Sequence, residues 1–150
     1  MKISPPAIQN ARVLCQRMES SRYGLGPLVD LATLVANADG TIDPDEMQVL
    51  CEALDILLGA AVDQEMAQRL VEASQYMIGR TGAAKHTSAI GKIFAECSVA
   101  DEAILFGASI GHASGRISDA EREVLHTLGK SAGVGPGHID ELIARGRSSG

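Results

Sequence analysis

Two short stretches of this chain share one pattern, and that repeat constrains the fold more than any other feature. Residues 38–46 read ADGTIDPDE and residues 113–121 read ASGRISDAE, with Gly, Ile and Glu at matching positions 75 residues apart. Each stretch has a glycine suited to end one helix and a helix-capping residue followed three positions later by glutamate. The pattern therefore predicts two helix–glycine loop–helix units.

The segments around both loops have the periodicity of amphipathic helices. Apolar residues recur every three or four positions, for example at Met47, Leu50 and Leu54, and no stretch alternates as a half-buried strand would. Residues 104–113 are nearly all apolar or small, which predicts a helix buried on most sides. The chain is thus predicted to be all-α, with residues 1–150 forming one compact bundle of seven to nine helices.

The repeat also predicts how this single domain is organised. The internal repeats are placed at residues 28–59 and 103–134. We expect them to belong to two halves related by a pseudo-two-fold axis, so that the two loops should superpose after a rotation of about half a turn.

Composition excludes several classes of protein. The net charge is −6, tryptophan is absent, and only four Tyr or Phe residues occur, so phosphate neutralisation and base stacking are poorly supported and we expect no nucleic-acid partner. No apolar run reaches bilayer length, and residues 1–6 lack the apolar stretch of a signal peptide. Three widely spaced cysteines on apolar helix stripes indicate reduced thiols. These features predict a cytoplasmic protein without a membrane span.

Helix capping explains every position that the two loops share. Asp43 and Ser118 are favourable N-caps, and Glu46 and Glu121 follow them at the spacing of a capping box. Capping does not explain the additional acids of the first loop. Residues 37–72 contain nine acids and one base, so the acidic excess of the whole chain lies on this loop and the two helices after it. Such a surface is either a solvated helix face or an attractor of cations or of a basic partner.

A cation site is the second interpretation of the first loop. Asp39, Asp43, Asp45 and Glu46 place four carboxylates within eight residues, and oxygen donors without nearby His or Cys favour a hard ion such as Ca²⁺ or Mg²⁺. The expected affinity is weak because capping already engages two of these side chains. Glu121 would be the ligand of a weaker second site.

An EF-hand-like loop is an alternative alignment of the same residues. Gly40 then takes the place of the loop glycine, but Val35 occupies the first ligand position and cannot coordinate an ion. A calcium-responsive module of this type would need a water or backbone ligand in place of that side chain.

The motif Ala-Asp-Gly-x-Ile-x-x-x-Glu, repeated in degenerate form before Gly133, resembles the TerB-like family of tellurite-resistance proteins. The same fold resembles the N-terminal domains of certain membrane-anchored co-chaperones. The resemblance covers about residues 28–143. It implies a bacterial, cytoplasmic helical bundle and acidic loop residues linked to divalent metals. By position those are Asp39, Glu46 and Glu121, whereas Ser114 stands where the family often has aspartate.

The sequence therefore predicts a non-enzymatic tellurite-resistance and stress-response module. Its ligand is expected to be a divalent cation, a protein partner, or both, bound through the acidic helix–loop surface. Peripheral association with a membrane and a homodimer are left open. The alternative from another class is a metal-dependent enzyme that uses the acidic loop, and it would need a pocket where carboxylates converge beside an open metal position.

Overall fold

The computed structural model of the protein describes residues 3–59, 63–113 and 115–147. These residues form eight α-helices, and no strand occurs within the ranges just given. The helices are α1 (Pro5–Glu19), α2 (Gly26–Ala36), α3 (Pro44–Leu58), α4 (Gln64–Thr81), α5 (Ala83–Glu96), α6 (Ala100–Ala113), α7 (Asp119–Ser131) and α8 (Pro136–Arg147). The predicted all-α bundle of seven to nine helices is confirmed.

The helices α2 and α6, which precede the two loops, form the centre of the bundle. Most of their residues are buried, and they contact each other as well as most of the remaining helices. Gly107 permits the close approach of α6 to α7, because a methyl group at that position would lie 2.7 Å from Cδ2 of Leu125. The central helix that the sequence predicts over residues 104–113 is thus confirmed.

The same helix contacts occur in both halves of the described structure. Helix α2 packs on α3 and α4, as α6 packs on α7 and α8, while α1 packs on α3 as α5 packs on α7. The contacts between the two halves show the same correspondence. Helices α1 and α3 contact α6 of the other half, and their counterparts α5 and α7 contact α2. This pattern relates all four helices of each half, although the rotation of about half a turn stays a prediction.

The core is aliphatic with two aromatic side chains at its centre. Phe94 and Phe106 are fully buried, and the other large buried side chains are leucines, isoleucines and one methionine, Met18. Burying one such side chain contributes about 1.5–3 kcal/mol to the free energy of unfolding. Tight aliphatic packing between helices therefore supplies the rigid frame on which both loops sit.

The boundary between α4 and α5 differs from its prediction. The segment Gly79-Arg80-Thr81-Gly82 predicts a break in the chain, with the next amphipathic helix beginning near His86. Helix α4 instead continues through Gly79 to Thr81, and α5 begins at Ala83. Only Gly82 interrupts the chain, at φ +96°, because this left-handed conformation ends a helix at little cost for glycine.

Three histidines connect α8 to its neighbours. His112 Nε2 lies 2.8 Å from the carbonyl oxygen of Ile143. The other two face carboxylates, with distances of 2.7 Å for His126 Nε2–Asp140 Oδ1 and 2.8 Å for His138 Nε2–Asp101 Oδ2. The bond and charge of Asp101 raise the pKa of His138.

The cysteines carry no disulfide, as predicted. Cys15 is buried, while Cys51 and Cys97 are half-buried rather than fully in the core. Burial raises the pKa of the Cys15 thiol to about 11, so this side chain behaves as a small hydrophobic group at neutral pH. Among the described helices, none combines the length and the apolar character that crossing a membrane requires.

Candidate functional site

The first loop follows α2, which ends at Ala36, and turns at Gly40 with φ +97°. The Asp43 side chain then accepts a hydrogen bond from the Glu46 N–H at 2.8 Å. In return, Glu46 Oε1 accepts from the Asp43 N–H at 2.9 Å. The predicted capping box is therefore formed, and it fixes both carboxylates at the start of α3.

The second loop has the same cap at the start of α7. The Ser118 hydroxyl accepts from the Glu121 N–H at 3.1 Å, and Glu121 Oε1 accepts from the Ser118 N–H at 2.8 Å. The two cap residues also share one extended conformation, with φ −80° and ψ 171° at Asp43 and φ −79° and ψ 165° at Ser118. The repeated sequence thus produces a repeated local geometry.

The two glutamates differ in burial. Glu121 is only 4% exposed and belongs to the buried face of α7, whereas Glu46 is half-buried. Gly111 provides part of the space for the second carboxylate, since a methyl group there would lie 3.6 Å from Glu121 Oε2 and 2.8 Å from Cγ1 of Ile117. An alanine at position 111 would force the Ile117 side chain to shift, whereas its methyl group would make an ordinary van der Waals contact with the Glu121 carboxylate.

Carboxylates of the two repeats lie within electrostatic range of one another. We call Asp39, Asp43, Glu46 and Glu121 the acidic junction. Burial raises the pKa of Glu46, and the negative charges of Asp43, Glu121 and Asp39 raise it further. Burial likewise raises the pKa of Glu121, to which the charge of Asp39 adds. These like charges repel one another across the boundary between the first and second loops.

The structure does not bring every predicted ligand into the acidic junction. Asp45 is exposed in the first turn of α3 and adds to neither of the two pKa shifts. Val35, at the first position of the EF-hand-like alignment, is completely buried in α2. Over residues 3–59, 63–113 and 115–147, no three His, Cys, Asp or Glu side chains are grouped closely enough to hold a metal ion by themselves.

A second polar network lies between α2, α4 and α5 and has no counterpart in the sequence predictions. Asp30 Oδ1 accepts a bond from the buried Ser74 hydroxyl at 2.6 Å, and Asp30 Oδ2 lies 2.9 Å from His86 Nε2. The aspartate is the central member, so this is not the order of a serine–histidine–aspartate nucleophile. The network ties three helices together. Ser74 and His86 lie 44 and 56 residues from Asp30 in the sequence, so no local motif predicts the network.

Comparison with known proteins identifies one family. The family model described as tellurite resistance protein TerB matches residues 28–144, which include both loops and every residue of the acidic junction. No curated protein and no solved structure matches the chain.

Proposed function

Because the chain belongs to the TerB family of tellurite resistance proteins, we propose that it is a non-enzymatic stress-response module whose acidic junction binds a divalent cation. The observation that carries this proposal is the raised pKa of Glu46 and Glu121, to which charges from the other repeat contribute. A cation placed among these carboxylates would replace their mutual repulsion with attraction.

The donor chemistry favours a hard ion. The junction offers carboxylate oxygens alone, which suits Ca²⁺ or Mg²⁺ better than zinc or copper. The capping bonds engage Oε1 of both glutamates, so a bound ion would draw on the remaining carboxylate oxygens and on water. Because capping already uses some of these carboxylate oxygens, we expect the ion to be weakly bound.

The residues of the junction have different parts in this proposal. Asp39 is exposed and lies outside both capping boxes, so it is the side chain best placed to contact an ion directly. Glu121 is almost completely buried and contributes mainly through its charge. Asp45, which is exposed beside the junction, extends the negative field towards solvent rather than closing a ligand set.

The same surface is suited to a protein partner. The acidic residues 39–72 span the first loop, α3 and α4, and such a field attracts a basic surface and speeds its association. A bound cation would lower this field, and partner binding would then depend on the ion. We place this activity in the cytoplasm, where thiols such as Cys15, Cys51 and Cys97 stay reduced.

Calorimetric titration tests the cation site. We expect wild-type protein to bind Ca²⁺ or Mg²⁺ with a dissociation constant on the order of 10⁻⁴ to 10⁻³ M, which is the range of weak oxygen-ligand sites. Asp39→Asn should weaken binding about tenfold, because affinity follows the number of ligand charges. Glu72→Gln removes one exposed charge from α4 and is the matched control that should bind as wild type does.

Two outcomes would contradict the cation site. One is equal heats from wild type and Asp39→Asn. The other is the absence of heat from wild type at millimolar concentrations of either ion. In both cases the acidic junction would serve only to cap α3 and α7.

A further inference from the structure

Helix α4 carries two apolar stripes, one buried in the core and one largely exposed, of which Leu70 alone also packs against the core. Its buried residues are Ala67, Val71, Ser74 and Ile78. A second stripe, turned by about 100° around the helix axis at 3.6 residues per turn, consists of Met66, Leu70, Ala73 and Met77. The two methionines are 50% and 51% exposed, Ala73 is exposed, and Leu70 is half-buried.

The second stripe has the spacing of a coiled-coil seam. Its members are separated by four, three and four residues, which corresponds to alternating d and a positions of a heptad. Extending the register by one position at each end reaches Asp63 and Arg80, both exposed. The full seam therefore reads Asp63, Met66, Leu70, Ala73, Met77, Arg80.

This seam is complementary to itself when it is reversed. In an antiparallel pair, each a position faces a d position of the other helix. Met66 then faces Met77 of a second copy, the large Leu70 faces the small Ala73, and Asp63 faces Arg80. Every apolar residue meets an apolar residue, and both ends of the seam carry an opposite-charge pair.

The flank of the seam follows the same symmetry. Arg69 and Tyr76 lie on one side of it at g positions, which pair with each other in antiparallel coiled coils. Both side chains are exposed. The Tyr76 ring already makes a cation–π contact within its own chain, with Arg80 Cζ 5.8 Å from the ring centroid. A parallel pair would instead place Asp63 against Asp63 and Arg80 against Arg80.

We propose that α4 mediates an antiparallel homodimer through this seam. The proposal is independent of the cation site, because none of the acidic junction residues lies on α4. One pair of 18-residue helices buries less area than a standard interface of about 1,600 Å². The dimer is therefore a weak one, with a dissociation constant on the order of 10⁻⁵ M.

Sedimentation equilibrium over a concentration series tests the dimer. Wild type should pass from monomer to dimer, and Met66→Lys or Met77→Glu alone should raise the dissociation constant by at least about tenfold, because each places an unpaired charge in an apolar seam. Gln68→Lys is the matched control, since Gln68 is exposed on the same helix but points away from the seam. It should associate as wild type does.

The double variant Met66→Lys/Met77→Glu tests the orientation. In the antiparallel pair each new lysine faces a new glutamate of the other copy, so association should return to within about threefold of wild type. The two positions are three turns apart and cannot pair within one chain.

Three results would overturn the proposal. The first is a monomeric wild type at every concentration up to millimolar. The second is an equal effect of Gln68→Lys and Met66→Lys. The third is a double variant that associates as weakly as the single variants. Circular dichroism and thermal melts of each variant show whether the fold is retained, which the exposure of the substituted side chains leads us to expect.

Discussion

Replacing Gly91 by alanine should lower the free energy of unfolding by about 3 kcal/mol, the upper end of the usual cost of overpacking a core. Gly91 is buried in α5, where α5 packs on α7. A methyl group there would collide with the Ser131 side chain and lie 2.6 Å from the carbonyl oxygen of Leu128. The serine could rotate away, but the backbone oxygen could not, so the two helices would have to separate.

Gly79→Ala is the matched control for this substitution. Gly79 is also inside a helix, α4, but it is exposed and no atom would lie within 4 Å of the new methyl group. Alanine should therefore stabilise the protein by about 0.5–1 kcal/mol through helix propensity. Urea denaturation of both variants measures the difference. Similar midpoints for the two variants would show that α5 and α7 are less closely packed than described.

Glu121→Ala should cost about 2 kcal/mol, whereas Glu121→Gln should cost almost nothing at pH 7. Alanine removes the acceptor of the Ser118 N–H and leaves a cavity beside Gly111. Glutamine keeps a carbonyl oxygen for that bond and removes the charge. Ser118→Ala, which loses only the hydroxyl of the cap, should lie between them at about 1 kcal/mol. A Glu121→Gln variant less stable than Ser118→Ala would contradict this order.

The pH dependence of these variants follows from the raised pKa of Glu121 and Glu46. A carboxyl group whose pKa is higher in the folded state than in the unfolded state favours folding when it is protonated. Its contribution is fully present below the unfolded pKa, about 4.5, and is lost as the pH rises through the folded pKa. The free energy of unfolding of Glu121→Gln, relative to that of wild type, should therefore increase as the pH is raised from about 4 to about 7. A gain on acidification instead would contradict the sign of the shift.

Much of the fold could be predicted because its signals are local. The capping boxes at Asp43 and Ser118 require only residues three positions apart, and the buried central helices follow from runs of apolar and small residues. The end of α4 was misplaced because the sequence does not distinguish Gly79 from Gly82 as the glycine that ends the helix. In the structure only Gly82 of the two adopts a positive φ. Backbone conformation at a glycine depends on the packing of the helices that it joins.

The candidate site was only partly predictable for a related reason. The sequence identified Asp39, Asp43, Glu46 and Glu121 separately, as members of two loops. Their electrostatic coupling depends on how α2 and α6 pack against each other, which no short spacing encodes. The same holds for Asp30, Ser74 and His86, whose contacts join three helices. Asp45 adjoins these residues in sequence and is exposed in the first turn of α3, and its part in a cation site stays a prediction.

The central claim is that carboxylates of the two repeats form one electrostatic unit, and an NMR pH titration of the Glu121 side-chain carboxyl carbon tests it most directly. In metal-free wild type we predict a pKa above the ordinary glutamate value, and in Asp39→Asn we predict a lower pKa because the charge of Asp39 contributes to the shift. Adding Ca²⁺ to wild type should lower the pKa as well. An ordinary pKa for Glu121, unchanged by Asp39→Asn, would contradict the account.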